Sequence, residues 1–404
     1  MPECDCIRPL HSTLAHTFAA SLRKIGRIAL LLLAGISATI AESASETPFR
    51  IKSVAGVSKN TLLPPGPGNP RNSEGDFITL RDGRVLFVYT HFTGGAGDHS
   101  TAHLAGRYSH DGGQTWETDD VIILRNEGGY NIMSVSLLRL SDGSIGLFYM
   151  RKNSLEDCRP LLRISRDEAK TWSEPIEIIT DEIGYYVLNN DRVIQLADGR
   201  LICPVALHNL PSWDEPDWKG LVTCYLSDDS GQSWRRCSSL FKAFAPDGTR
   251  VYLQEPGVLE LQDGDILLWG RSDGGSQYQS RSSDRGETWS KAIPSNIISP
   301  RSPATIERIP GRSDLIMVWN DHSKISPELQ LKRTPLAIAI SQDDGRTWGP
   351  SRILEDDPNG WYCYTALDFV GDRILLGHCA GDNRIGGLNL TQITYFNIDW
   401  LYQN

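Results

Sequence analysis

Apolar residues fall in short runs along this chain, Val85–Tyr89, Ile145–Met150, Leu201–Leu207, Ile266–Trp269 and Leu315–Trp319, each bounded by polar, turn-forming residues. Runs of this length suit buried strands and are too short for core helices. Beyond the N-terminal segment, no stretch repeats its apolar residues at the spacing of an amphipathic helix. A common signal precedes these runs: Leu80-x-Asp82-Gly83, Leu140-x-Asp142-Gly143, Leu196-x-Asp198-Gly199 and Leu261-x-Asp263-Gly264, with weaker forms at Ile309-x-Gly311 and Val370-Gly371-Asp372. Asp-Gly between two strands predicts a tight hairpin.

A second signal alternates with the first. The pattern Ser-x-Asp-x-Gly-x-Thr-Trp starts at 109, 282 and 341; the copy at 227 has Ser233 for Thr, and the copy at 165 has Ala169 for Gly. Asp and Ser cap backbone N–H groups of a turn, Gly supplies a left-handed residue, and Trp packs beneath. Near-regular recurrence means an array of equivalent units. These octapeptides resemble the Asp-box, or BNR repeat, of sialidase-like β-propellers. Six hairpin turns interleaved with five boxes predict an all-β fold, a six-bladed β-propeller of four-stranded antiparallel blades, the last without a box. Strand-like stretches at Phe49–Val57 and Leu388–Trp400 flank the array, so the N-terminal strand is expected to close the ring within the last blade. One propeller domain is expected over residues 47–404.

Arg23, Lys24 and Arg27 precede an apolar run beginning at Ile28, and Thr39-Ile40-Ala41 offers a small-residue cleavage site. That layout predicts a secretory signal peptide over residues 1–41 and a mature chain that is secreted or periplasmic, without stable membrane insertion. The formal charge of −10 argues against nucleic acid as a partner. Six of the eight cysteines lie beyond the leader (Cys158, Cys203, Cys224, Cys237, Cys363 and Cys379), and none forms a CxxC pair. A metal site is not expected, and the reading requires no cofactor.

If the blades are equivalent, counting back from each hairpin turn places Glu74, Ser134, Asn190, Glu255, Pro303 and Tyr364 at the start of the innermost strands. Those positions ring the mouth of a central funnel, a natural cleft. Several charged residues then resemble those of exo-sialidases (neuraminidases). Arg71 stands where that family places the first of three carboxylate-binding arginines, although Asn72-Ser73 replaces the usual Ile-Pro. Asp98, in the loop Gly94-Gly95-Ala96-Gly97-Asp98-His99, matches the acid/base aspartate. Glu255 and Arg271 resemble the family's glutamate and second arginine; Arg333 resembles the third, with Arg301 as a competitor. Tyr364-Thr365 resembles the site of the tyrosine nucleophile, and Tyr362 is close by. His91 stands where many sialidases carry a further arginine, and Gly377-His378 replaces a glutamate common after the nucleophile.

The resemblance implies a glycoside hydrolase that removes a terminal acidic sugar from a glycan with retention. Three guanidinium groups would grip the sugar carboxylate. A neutral tyrosine activated by Glu255 avoids the repulsion that a carboxylate nucleophile would meet. Asp191 and Arg192, in the cluster Asn190-Asp191-Arg192, are either a bridge between blades or substrate contacts. The alternatives are a non-catalytic glycan-binding propeller, or a lyase or hydrolase for another acidic or deoxy sugar.

Overall fold

The computed structural model describes residues 51–63 and 66–403, so the expected signal peptide lies outside the described residues. The five apolar runs form strands beginning at the expected residues and extending one to three residues further: Val85–Phe92, Ile145–Lys152, Leu201–Asn209, Ile266–Arg271 and Leu315–Asn320. Each is the second strand of an antiparallel set. The first set runs Arg71–Thr79, Val85–Phe92, Ala102–Ser109, Val121–Leu124 in both chain and sheet order. The fourth, from Gln254 to Ile298, and the fifth, from Thr305 to Glu355, follow the same plan.

The last sheet combines Gly360–Val370, Arg373–Asp382 and Thr391–Asn397 with an N-terminal strand antiparallel to Thr391–Asn397. That partner is Val57–Leu63, not the Phe49–Val57 read from the sequence. The second and third sets also depart from four separate strands each. The expected inner strand of the third is split into Tyr185–Val187 and Ile194–Gln195, and Tyr185 pairs in parallel with Cys158 of the second. The two sets therefore form one nine-stranded sheet. Among the described residues no helix is long and apolar enough to cross a membrane.

Among the described residues the core divides into six clusters. Four are built from two sets adjacent in the chain, one spans the first three sets, and one, with Phe77, Phe87, Ala366 and Leu375, joins the first set to the last. Every such interface hides large apolar side chains, worth about 1.5–3 kcal/mol each.

The boxes form turns as expected. In the first, Ser109 Oγ accepts from Gly113 N at 2.8 Å, Asp111 Oδ1 accepts from Thr115 N at 2.9 Å, and Trp116 Nε1 donates to the Gly113 carbonyl at 3.2 Å. Two successive left-handed residues make each turn, and Ala169 adopts φ 61° where the others have Gly. That conformation costs Ala about 1 kcal/mol, yet its methyl is buried in the cluster between the first and second sets, worth about 0.8 kcal/mol. Ala169→Gly also loosens the unfolded chain by about 0.4–1 kcal/mol. These effects offset, so urea unfolding of Ala169→Gly should show a change within about 1 kcal/mol; a gain above about 2 kcal/mol would mean the methyl is strained rather than packed.

Candidate active site

The innermost strands share a backbone device. Register shifts interrupt the pairing at Ser73/Asp76, Met133/Ser136, Gln254/Gly257 and Cys363/Ala366. At each shift a non-glycine residue takes a left-handed conformation: Glu74 (φ 53°), Ser134 (59°), Glu255 (48°) and Tyr364 (54°). A bulge re-aims the side chain it carries, at a cost of about 1–3 kcal/mol for a strained residue. All four side chains line one cavity of about 200 Å³. The third set uses Asp191 (φ 55°), one residue beyond the expected Asn190. The bulge also brings backbones close: a Cβ on Gly75 would lie 2.4 Å from the Phe87 ring.

Tyr364 Oη donates to Glu255 Oε1 at 3.3 Å, and the other Glu255 oxygen pairs with Arg271 Nη1 at 3.0 Å. Arg271 is further fixed by Gln254, whose Oε1 accepts from Nε and Nη2 at 3.1 and 2.7 Å. Burial, reinforced by the Glu255 charge, pushes the Tyr364 phenol well above its ordinary value. The phenol is therefore protonated at neutral pH, and Glu255 is placed to receive that proton.

Arg71 is buried behind the cavity wall, stacked over Phe92 at 4.3 Å and paired with two residues that line it. Its Nε donates to Ser73 Oγ at 2.9 Å, Nη2 pairs with Glu74 at 3.0 Å, and Nη1 pairs with Asp98 at 2.5 Å. Burial raises the Glu74 carboxyl despite the Arg71 charge. For Asp98 the surroundings oppose ionisation, but the Arg71 guanidinium overrides them and holds the carboxyl below its ordinary range. Glu74 was legible as a funnel position, not as the partner of Arg71.

Arg333 is buried beside the cavity, its guanidinium 5.3 Å from the centre of the Tyr364 ring and 5.1 Å from that of Trp361. It lines an adjoining cavity together with Arg271. Of the competing pairs, Arg301 turns to the Tyr252 ring at 4.5 Å, and Tyr362 packs edge-on to His378 outside the cavity lining. The structure thus gathers Asp98, Glu255, Arg271 and Tyr364 on one cavity, with Arg71 buried behind Glu74 and Asp98 and Arg333 beside it.

Asp191 and Arg192 are placed elsewhere. Arg192 is buried, donating to the Ala304 carbonyl at 2.9 Å and Thr305 Oγ1 at 3.2 Å, while Asp191 Oδ2 accepts from Leu367 N at 3.0 Å. Asn190 Nδ2 donates to the carbonyls of Gly75 and Tyr364 at 2.9 and 3.2 Å. The cluster ties the inner strands of several sheets together, which removes these two residues from the expected substrate contacts. Their side chains are committed to backbone partners.

The cavity also presents Lys152, Tyr185 and His208, none assigned to it from the sequence, and Trp218, which ends a segment (210–218) read from the sequence as a cleft loop that either contacts glycan or covers a blade top. Each sits at a strand end or in a loop whose spacing carries no signal. His208 stacks on Trp218 with 5.8 Å between ring centres, and burial lowers its pKa to about 4, so the ring is neutral. Among the described residues no group of three His, Cys, Asp or Glu side chains is arranged to hold a metal, and the six described cysteines are free thiols.

Comparison with known proteins places this geometry in context. A sialidase from Bacteroides fragilis is 29% identical over 231 residues, covering 54% of this chain and 38% of that protein. The chain thus matches well under half the length of that relative. A Dyadobacter fermentans protein of unknown function superposes with a TM-score of 0.66 at 18% identity, covering 85% of this chain and all of that one. Trypanosoma rangeli sialidase, solved with difluorosialic acid as a covalent intermediate, superposes with a TM-score of 0.66 at 16% identity, covering 87% of this chain and 60% of that one. The model of the BNR repeat-like domain matches residues 92–375, well over half the chain. With its boxes, its all-β sheets and this match, the chain belongs to the BNR repeat-like domain family of the sialidase superfamily.

Proposed function

We propose that this chain is an exported exo-glycosidase that removes a terminal acidic sugar, sialic acid or a relative, from glycans with retention. Residues 1–41 are its leader, and residues 47–404 are a six-bladed propeller with the N-terminal strand in the last blade. The cyclic succession of core clusters, first set packed on last, supports that architecture. The observation that carries the activity is the relay Tyr364–Glu255–Arg271 on a cavity shared with Asp98, which is itself paired to Arg71.

The sugar carboxylate binds among Arg71, Arg271 and Arg333 and takes the place of Asp98 at Arg71. That exchange frees Asp98 from the charge that keeps it ionised, so it can carry a proton. Tyr364 Oη attacks the anomeric carbon while Glu255 accepts the phenolic proton. Asp98 protonates the departing glycosidic oxygen. Water then attacks the glycosyl–tyrosine bond, Asp98 takes the proton from water, and Glu255 returns its proton to Tyr364. Two displacements at one carbon give retention. The covalent intermediate of Trypanosoma rangeli sialidase supports the order of steps.

A non-catalytic glycan-binding role draws on the Arg71–Asp98 pair, which leaves Asp98 ionised in the free protein. The two roles separate on 4-methylumbelliferyl α-sialoside. Fluorophore release, with NMR showing the α-anomer formed first, is the expected result. Binding of acidic glycans without release would overturn the hydrolase reading.

A further inference from the structure

The geometry points to Lys152 as a specificity-determining residue that binds a second anionic group of the sugar, so that the preferred substrate is a dianionic sugar acid. This rests on the proposed hydrolase reading and extends it to the substrate class.

Lys152 ends the strand Ile145–Lys152 and is held in register on both sides, opposite Asn131 and Cys158. It is 4% exposed and lines the same cavity as Tyr364 and Arg271. Its Nζ donates to the Asp98 carbonyl at 2.9 Å, lies 3.5 Å from Met133 Sδ and sits 5.5 Å from the Tyr185 ring centre. Among the described residues, no carboxylate reaches ion-pair distance of it. An ammonium has three N–H groups. One carbonyl and one weak sulfur acceptor do not satisfy them, and the carboxylates whose charge reaches it, Glu74 and Asp98, are already held by Arg71.

Four cations serve this site, Arg71, Arg271, Arg333 and Lys152, against three acids, Glu74, Asp98 and Glu255. Arg71 and Arg271 already hold all three acids. Among the described residues no carboxylate lies at ion-pair distance of Arg333, although the Glu255 charge reaches it, and its Nη1 is buried without a hydrogen bond. Two cations therefore have no carboxylate at ion-pair distance, Lys152 on the second strand set and Arg333 before the third strand of the fifth, sets that lie opposite each other in the proposed six-bladed ring. The carboxylate on the anomeric carbon satisfies the arginine side. A second anionic group on the ring or its tail then meets Lys152. Pinning the Asp98 loop, the structural role of Lys152, is common to every substrate and sets no preference among them.

The test compares 4-methylumbelliferyl α-sialoside with its derivative whose glycerol tail has been cut with periodate and oxidised to a carboxylate. The wild-type protein should favour the dianionic glycoside in kcat/KM by at least about tenfold, mostly through KM. Lys152→Met should bring that ratio close to one, and Lys152→Arg should retain part of it. Equal ratios in wild type and Lys152→Met, or a wild-type preference for the monoanion, would overturn the proposal. Release of the Asp98 loop lowers both rates and leaves their ratio unchanged, so a structural effect is distinguishable. If neither glycoside is cleaved, the hydrolase reading fails by itself. Calorimetry of the two methyl glycosides then decides on Lys152 by the same ratio, measured in Kd.

Discussion

Tyr364→Phe should bind an acidic sugar as the wild type does and turn it over at least about 10⁴-fold more slowly, since loss of one member of a nucleophile–base unit removes nearly the whole effect. The hydroxyl makes one long bond, 3.3 Å to Glu255, so its loss removes little stability, about 1 kcal/mol or less. The ring remains against Arg333, and the arginines that grip the carboxylate keep their partners. KM or Kd should therefore stay within about threefold while kcat collapses. Glu255→Gln separates the two duties of that residue. It removes the base and also the charge opposite Arg271, so both kcat and KM should suffer. A Tyr364→Phe protein with about a tenth of wild-type kcat or more would exclude this phenol as the nucleophile.

The repeats were legible because each rests on local chemistry. Asp-Gly turns and Ser/Asp-capped boxes need only their own few residues, so their positions carried over to the structure, and all five apolar runs began where expected. Long-range pairing was less legible. Nothing local distinguishes the N-terminal strand Val57–Leu63 from the preceding residues; its register comes from Thr391–Asn397. The split of the third inner strand follows from the Asn190–Arg192 cluster, whose side chains bind backbone atoms of distant sheets. In the site, Glu255, Arg271 and Tyr364 were visible through family-like spacing. Glu74 was visible only as a funnel position and Lys152 not at all, because their partners, Arg71 and the Asp98 carbonyl, are set by a bulge and a docked loop.

The same hub yields the largest expected effect on stability. Arg192→Met should lose about 3–5 kcal/mol in denaturant unfolding near pH 7.5, the usual result of stripping one partner from a buried charged cluster. The charges of Asp191, Glu255, Glu307 and Asp76 act on Arg192, and Asp368 neighbours Asp191. Burial raises Asp191 and Asp368 to about 6 from the ordinary 3.8, while the Arg192 charge restrains Asp191. Burial, with Asp191 next, lifts Asp76 and Glu307 well above their ordinary values. The folded chain therefore holds protons that the unfolded chain has released between about pH 4 and 6. Their contribution is full below the ordinary value and is lost as pH rises through the folded one, on the order of 3 kcal/mol for each of Asp191 and Asp368 by neutrality. Without Arg192 the Asp191 carboxyl rises further. At pH 5 it is protonated and tolerable, whereas at pH 7.5 it must either ionise unpaired or retain a proton against bulk solvent. The deficit of Arg192→Met should thus be clearly smaller at pH 5 than at pH 7.5. Equal deficits at both values would mean that Arg192 acts through its bonds to Ala304 and Thr305 alone, with no electrostatic role at the hub.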